Sequence, residues 1–224
     1  MISHKHKCIF IHIPKCAGTS IEKTLGHFDE YSGYDKQDHR SIKMLEPANL
    51  TWLTSKERTQ EVIKRVWRRI KPLSNPKNRY TVSKEEYANY FKFTIVRNPW
   101  ARAYSWYKNA IKDDVHLKKM GITSDIEFCD FVESFSNIEC LRPQTFWIKN
   151  FNGEIPLDFI GRFENLAHDF KKACALMNIK NIELPHELKG DVKSYQNEYD
   201  TKTRDLVKEL YREEIELFGY TFNE

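Results

Sequence analysis

Residues 8 to 25 read Cys-Ile-Phe-Ile-His-Ile-Pro-Lys-Cys-Ala-Gly-Thr-Ser-Ile-Glu-Lys-Thr-Leu, and their order decides the fold. The run up to Ile13 has the apolar, β-branched composition of a buried strand. Lys15, Gly18, Thr19 and Ser20 then fall in a tight turn that opens a helix over about 18–26. A turn of this kind aims backbone N–H groups at one point and adds a cation and two hydroxyls. That predicts a cradle for a multiply charged anion, most often a nucleotide phosphate.

The residue order narrows the choice. A Walker A loop places its Lys just before the hydroxyl residue and a Gly well before it. Here Lys15 opens the turn, Thr19 and Ser20 close it, and no Gly precedes the Lys. A cysteine phosphatase loop built on Cys16 needs an Arg where this chain has Glu22, which repels phosphate. A second segment strengthens the anion reading. Phe91-Lys92-Phe93-Thr94-Ile95-Val96 is a strand by composition, followed at once by Arg97-Asn98-Pro99-Trp100, where Pro99 suits a first helical turn. Arg97 can grip a phosphate bidentately. In open α/β sheets ligands sit at the carboxyl ends of strands, where Lys15 and Arg97 are both expected.

The rest of the chain fits an α/β domain. Residues 55–71 predict a basic amphipathic helix with Val62, Ile63, Val66, Trp67 and Ile70 on one face. Ser83-Lys-Glu-Glu86 and Ser124-Asp-Ile-Glu127 read as capping boxes, each starting a helix. Leu157 to Phe163 reads as a strand, the next helix buries Leu166, Phe170, Ala173, Cys174 and Met177, and a last helix over about 201–218 stops at Gly219. Strands alternating with helices predict one domain over 1–224, a three-layer sandwich around a central, mostly parallel sheet, with 46–88 as a helical insertion.

Composition excludes several classes. At 224 residues the chain can bury a real core, and a net charge of +4 with mixed signs does not demand nucleic acid. Five cysteines without a C-x-x-C pair argue against a disulfide framework or a zinc site and fit a reducing, cytoplasmic setting. No apolar run approaches the ~20 residues of a membrane span, and no room for a signal peptide is visible. Carboxylates and histidines are scattered without ligand spacing, so no metal is expected.

The two anion segments together resemble the PAPS-dependent sulfotransferases, in particular the carbohydrate (glycan) branch. His12 to Ser20 looks like the loop that holds the 5′-phosphosulfate, and Ile95 to Ser105 like the element that holds the 3′-phosphate. The likeness continues at Gly161-Arg162-Phe163-Glu164-Asn165-Leu166 and at Ile215-Glu216-Leu217-Phe218-Gly219-Tyr220. It implies a P-loop-NTPase-like fold and transfer of a sulfuryl group from 3′-phosphoadenylyl sulfate (PAPS) to a hydroxyl acceptor, with a carbohydrate expected and 3′,5′-ADP (PAP) as product. Lys15, Cys16, Ala17, Gly18, Thr19, Ser20, Arg97 and Ser105 are then the donor-binding residues, with Cys16, in place of the usual small residue, offering its backbone N–H. Lys15 stabilises the leaving group. His39 stands at the family's base position, with Glu22, expected to face outward, as the second choice and His12 as a packed neighbour. Arg142-Pro143-Gln144 and a loop over 189–197 with Lys193 are expected to line the cleft. The rivals are a nucleotide-dependent kinase, which predicts magnesium dependence, and a non-catalytic nucleotide or nucleic-acid binder built on the basic helix.

Overall fold

The computed structural model describes residues 1–29, 31, 36–47, 56–70, 75–135, 138, 141–180, 184 and 195–224; at 57, 61 and 68–70 it describes the backbone alone. In chain order the strands are β1 (Ile2–Ser3), β2 (Cys8–Ile11), β3 (Phe91–Val96) and β4 (Phe159–Arg162). The helices are α1 (Gly18–Thr24), α2 (Ile42–Leu45), α3 (Lys56–Ile70), α4 (Lys84–Asn89), α5 (Pro99–Ala110), α6 (Asp114–Met120), α7 (Phe128–Phe135), α8 (Gln144–Ile148), α9 (Leu166–Leu176), α10 (Thr201–Leu210) and α11 (Arg212–Phe218).

The strands form one open mixed sheet in the order β1-β2-β3-β4, flanked by helices, an α/β fold. β2 pairs with β3 in parallel with Ile11 opposite Thr94, β3 pairs with β4 in parallel with Val96 opposite Arg162, and β1 runs antiparallel on the outer edge of β2. β2 is buried along its whole length and reads as a continuous apolar run, whereas β3, buried along all but its first residue, also buries Lys92 and Thr94. Side chains pin the register. Thr94 Oγ1 donates to the Ile11 carbonyl at 2.7 Å, and Asp158 Oδ2 accepts from the Lys92 N–H at 2.7 Å just before β4 begins.

Two compact units share the chain. The first comprises residues 1–96 and 146–188 and contains the sheet. The second comprises residues 97–145 and 189–224 and is helical, with Trp100, Ala103 and Trp106 of α5, Phe128, Phe131 and Val132 of α7, and Val207 and Tyr211 in its core.

Several expectations meet their outcomes here. The Ser83 box is formed in both directions, Pro99 stands in the first turn of α5 behind Asn98, and Gly219 closes α11 at φ 66°. Ser124 caps nothing: it lies in a turn, and α7 begins only at Phe128. The last helix is two, because Tyr211 leaves helical geometry at φ −117° while its hydroxyl donates to the Leu141 carbonyl at 2.6 Å. Most of the described apolar stripe of α3 is exposed, with Val62 half-buried. Arg65 holds the helix to its own unit through the Lys43 and Glu46 carbonyls, while Ile63, Val66 and Trp67 (66% exposed) are turned to solvent. The four described cysteines are free thiols; Cys140, Lys193 and most of the 189–197 loop lie outside the described residues.

Gly161 is where the sheet and α9 come closest. A Cβ there would stand 2.6 Å from Ile95 Cδ1 and 2.9 Å from Asp169 Cβ. Gly161→Ala is expected to cost about 1–3 kcal/mol through overpacking, read as a lowered urea midpoint with an unchanged slope.

Candidate functional site

The turn after β2 departs from ordinary backbone geometry twice. Lys15 (φ 67°) and Ala17 (φ 61°) are both left-handed, although each carries a Cβ. Such conformations cost on the order of 1–3 kcal/mol each and cluster at ligand clamps. Left-handed residues in a tight turn make successive N–H groups converge, the geometry of an anion nest. Ala17 is the N-cap of α1 and supplies no side-chain acceptor. The Cys16 N–H donates to the Ile13 carbonyl at 3.3 Å and closes the turn, and the Ser20 and Ile21 N–H groups donate to the Ala17 carbonyl. Among the described residues none accepts from the Gly18 or Thr19 N–H. Lys15, Ala17 and Ser20 are half-buried, Thr19 is exposed, and the Cys16 thiol is buried. These groups fit the phosphate end of a nucleotide: two uncommitted amides, two hydroxyls and a lysine in one turn.

Gly18 lies flush against an imidazole. A Cβ added there would stand 1.9 Å from His12 Cδ2, so only hydrogen fits. His12 is itself buried, and its ring centroid is 4.1 Å from that of His39. His39 Nδ1 approaches the His12 carbonyl at 3.4 Å, and the Trp147 ring lies 6.4 Å away. The segment carrying His39 is also tied to the turn, since Gln37 Nε2 donates to Thr19 Oγ1 at 3.4 Å. The first unit therefore brings His39, His12 and the Lys15–Ser20 turn together.

Behind the histidines lies a carboxylate that sequence reasoning turned the wrong way. Glu22 is fully buried. Its Oε1 accepts from the Asp38 N–H at 3.1 Å, and its Oε2 faces His12 Nδ1 at 3.2 Å. The reversal has a physical reason: Glu22 follows Ile21 on the inward side of a short helix whose outer positions, Thr19 and Lys23, are already polar. Asp38 takes Arg40 bidentately, with Nε 2.8 Å from Oδ1 and Nη2 2.6 Å from Oδ2, and lies 3.6 Å from the amino group of Met1.

Burial sets the protonation states. It pushes Glu22 up to about 7 and lowers His12 to about 3, with the Met1 amino group adding to the fall of His12. His39 is lowered to about 4, first by burial and then by His12, while Glu22 opposes the shift. Burial alone would raise Asp38, but Arg40 and the amino group reverse it and hold the carboxyl well below the usual range. His39 is thus a neutral imidazole at neutral pH, in the state that accepts a proton.

In the second unit the Arg97 backbone is clamped by Gln144. Its N–H donates to Gln144 Oε1 and its carbonyl accepts from Gln144 Nε2, both at 2.8 Å. Glu214, fully buried, in turn accepts from Gln144 Nε2 at 2.9 Å and from the Gln144 backbone N–H. Gln144, expected to line a cleft, instead orients the residue assigned to the phosphate. Asn98 caps α5 by accepting from the Trp100 and Ala101 N–H groups and donates to the Thr221 carbonyl at 2.8 Å. Ser105 sits half-buried on α5. Arg102 is a bracing residue: it is buried, donates to the Arg142 carbonyl at 2.9 Å and offsets the charge of Glu214. Sequence reasoning missed Gln144 and Glu214 as a clamp because their partners are distant in the chain. Among the described residues no group of three or more His, Cys, Asp or Glu side chains could hold a metal, and no helix is long and apolar enough to cross a membrane.

Comparison with known proteins places the chain. The model of the sulfotransferase family matches residues 1–221, and the chain belongs to that family. An uncharacterized protein of Archaeoglobus fulgidus is 31% identical over 110 residues, which cover 49% of this chain and 82% of that protein. No solved structure matches the chain significantly. Membership implies a transferase, with sulfuryl transfer as the general chemistry and a nucleotide donor and an acceptor as partners.

The buried groups give stability a definite pH profile. His12 and His39 have folded-state values below their unfolded ones, so their contribution is present above about pH 6.5 and is lost as pH falls toward 4. Glu22 is raised, so its contribution is present below about pH 4.5 and is lost as pH rises through 7. The melting temperature is expected to peak near pH 6.5 and to fall more gently on the alkaline side in Glu22→Gln. Gly18→Ala is expected to lower stability by about 2 kcal/mol or more at every pH, because the His12 ring cannot retreat from a buried wall.

Proposed function

We propose that this protein moves a sulfuryl group from PAPS to a hydroxyl acceptor, with a carbohydrate as the acceptor class, as a single sulfotransferase domain of P-loop-like, three-layer design. The observation that carries this reading is the turn with Lys15 and Ala17 left-handed and Gly18 flush on His12, in a chain of the sulfotransferase family.

In this reading Lys15 with the Gly18, Thr19 and Ser20 groups holds the 5′-phosphosulfate. Cys16 and Ala17 shape the turn. Arg97, with its backbone clamped by Gln144, and Ser105 hold the 3′-phosphate. His39 Nε2 takes the proton of the acceptor hydroxyl as its oxygen attacks sulfur. The bond from sulfur to the phosphate oxygen breaks in line, Lys15 stabilises the charge that develops there, and 3′,5′-ADP leaves. The charge is met by side chains and amides, so catalysis is positioning and electrostatics, as in phosphoryl transfer, and no metal step is required.

Calorimetry with 3′,5′-ADP is expected to show binding without magnesium, weakened about tenfold or more by Lys15→Ala and by Arg97→Ala. Transfer of labelled sulfate to a panel of glycans and small alcohols is expected to survive a chelator. His39→Ala is expected to remove turnover and leave 3′,5′-ADP affinity within about twofold. Nucleotide binding that needs magnesium, or that ignores Arg97→Ala, overturns the reading.

A further inference from the structure

We propose that Glu22 and His12 are positioning residues for His39: one carboxyl oxygen of Glu22 fixes the backbone that carries His39, and the other shares a proton with His12, whose ring conveys the charge state of Glu22 to the His39 ring. The inference rests on His39 being the base.

A buried carboxyl group needs a reason. Packing alone is served by an apolar residue, and an unpaired buried charge is costly. Glu22 has no Lys or Arg beside it among its described contacts, because Arg40 is engaged by Asp38. Its two oxygens meet the Asp38 N–H and His12 Nδ1. Asp38 is the residue before His39, so the first contact sets where His39 stands. The second joins two atoms that are both buried, are off the angle of a well-formed hydrogen bond, and have no other partner among the described residues. A carboxyl oxygen and an imidazole nitrogen placed this way titrate as a pair holding one proton.

His12 is wedged on three sides. Nδ1 meets Glu22, the ring packs at a 49° tilt against that of His39, and the Cδ2–Nε2 edge abuts Gly18 of the turn. Its carbonyl faces His39 Nδ1, which favours the tautomer protonated there and leaves Nε2 with a lone pair for the acceptor's proton. The resting environment makes His39 a weak base, and an ionised Glu22 is the described group nearest to that ring system whose charge raises its proton affinity, with Asp38 adding to it and His12 opposing it. The other charged or titratable groups around the pair are the Met1 amino group, Arg40 and His27.

Histidine-ring NMR on the isotopically labelled full chain tests this without an acceptor. Between about pH 6 and about pH 8 the His12 and His39 signals are expected to move together through one shared step, neither ring becoming an imidazolium. Glu22→Gln is expected to abolish that step. Two rings that titrate independently as ordinary imidazoles overturn the proposal, and so does a shared step that persists in Glu22→Gln. Should that variant not fold, judged by its amide spectrum, the wild-type titration and the loss of the His39 step in His12→Asn decide the matter. The reading of the site as a sulfotransferase fails separately, through absent 3′,5′-ADP binding in the wild-type chain.

Discussion

The contact of Gly18 with the His12 ring is the constraint on which the site depends. With no side chain at 18, α1 starts directly against the imidazole, and the turn before it is drawn into two left-handed residues. Those residues carry side chains that disfavour such geometry, so the surroundings must hold them there. Pro14 before the turn, the Cys16 bond to Ile13 and the buried thiol supply that hold. The same imidazole then supports His39 from the other side. One ring therefore touches both the turn that opens α1 and His39.

What the sequence discloses follows from how local each signal is. The bounds of β3, the box at Ser83 and the stop at Gly219 depend on a few adjacent residues with fixed chemical duties, and they stand where the residues place them. Ser124 shows the limit. The same four-residue pattern forms a turn, because a box needs a helix that starts three residues earlier than α7 does. The sequence break at Tyr211 is set by a hydroxyl bond to Leu141, seventy positions away, and no periodicity could disclose it. Periodicity finds the apolar stripe of α3 but not the side it faces, since the helix is held by Arg65 to backbone carbonyls.

The site divides in the same way. The turn after β2 is legible as a tight, strand-to-helix turn because its residue types and order are local. The polar groups around it and around Arg97 are not. Gln144 and Glu214 reach Arg97 from elements tens of residues apart, and Glu22 changes from an exposed helix residue to a buried hub only once Asp38 and His12 are seen around it. In both units a polar side chain with no solvent contact fixes the backbone of, or next to, a residue assigned to chemistry.

The exposed Trp67 of α3 also makes the molecule easy to watch. Of the four tryptophans among the described residues, Trp100, Trp106 and Trp147 are buried and Trp67 is open to solvent. Among these four, a collisional quencher such as iodide would extinguish the emission of Trp67 first, so the quenched, red-shifted part of their emission would report on α3 and the unquenched, blue-shifted part on the interior.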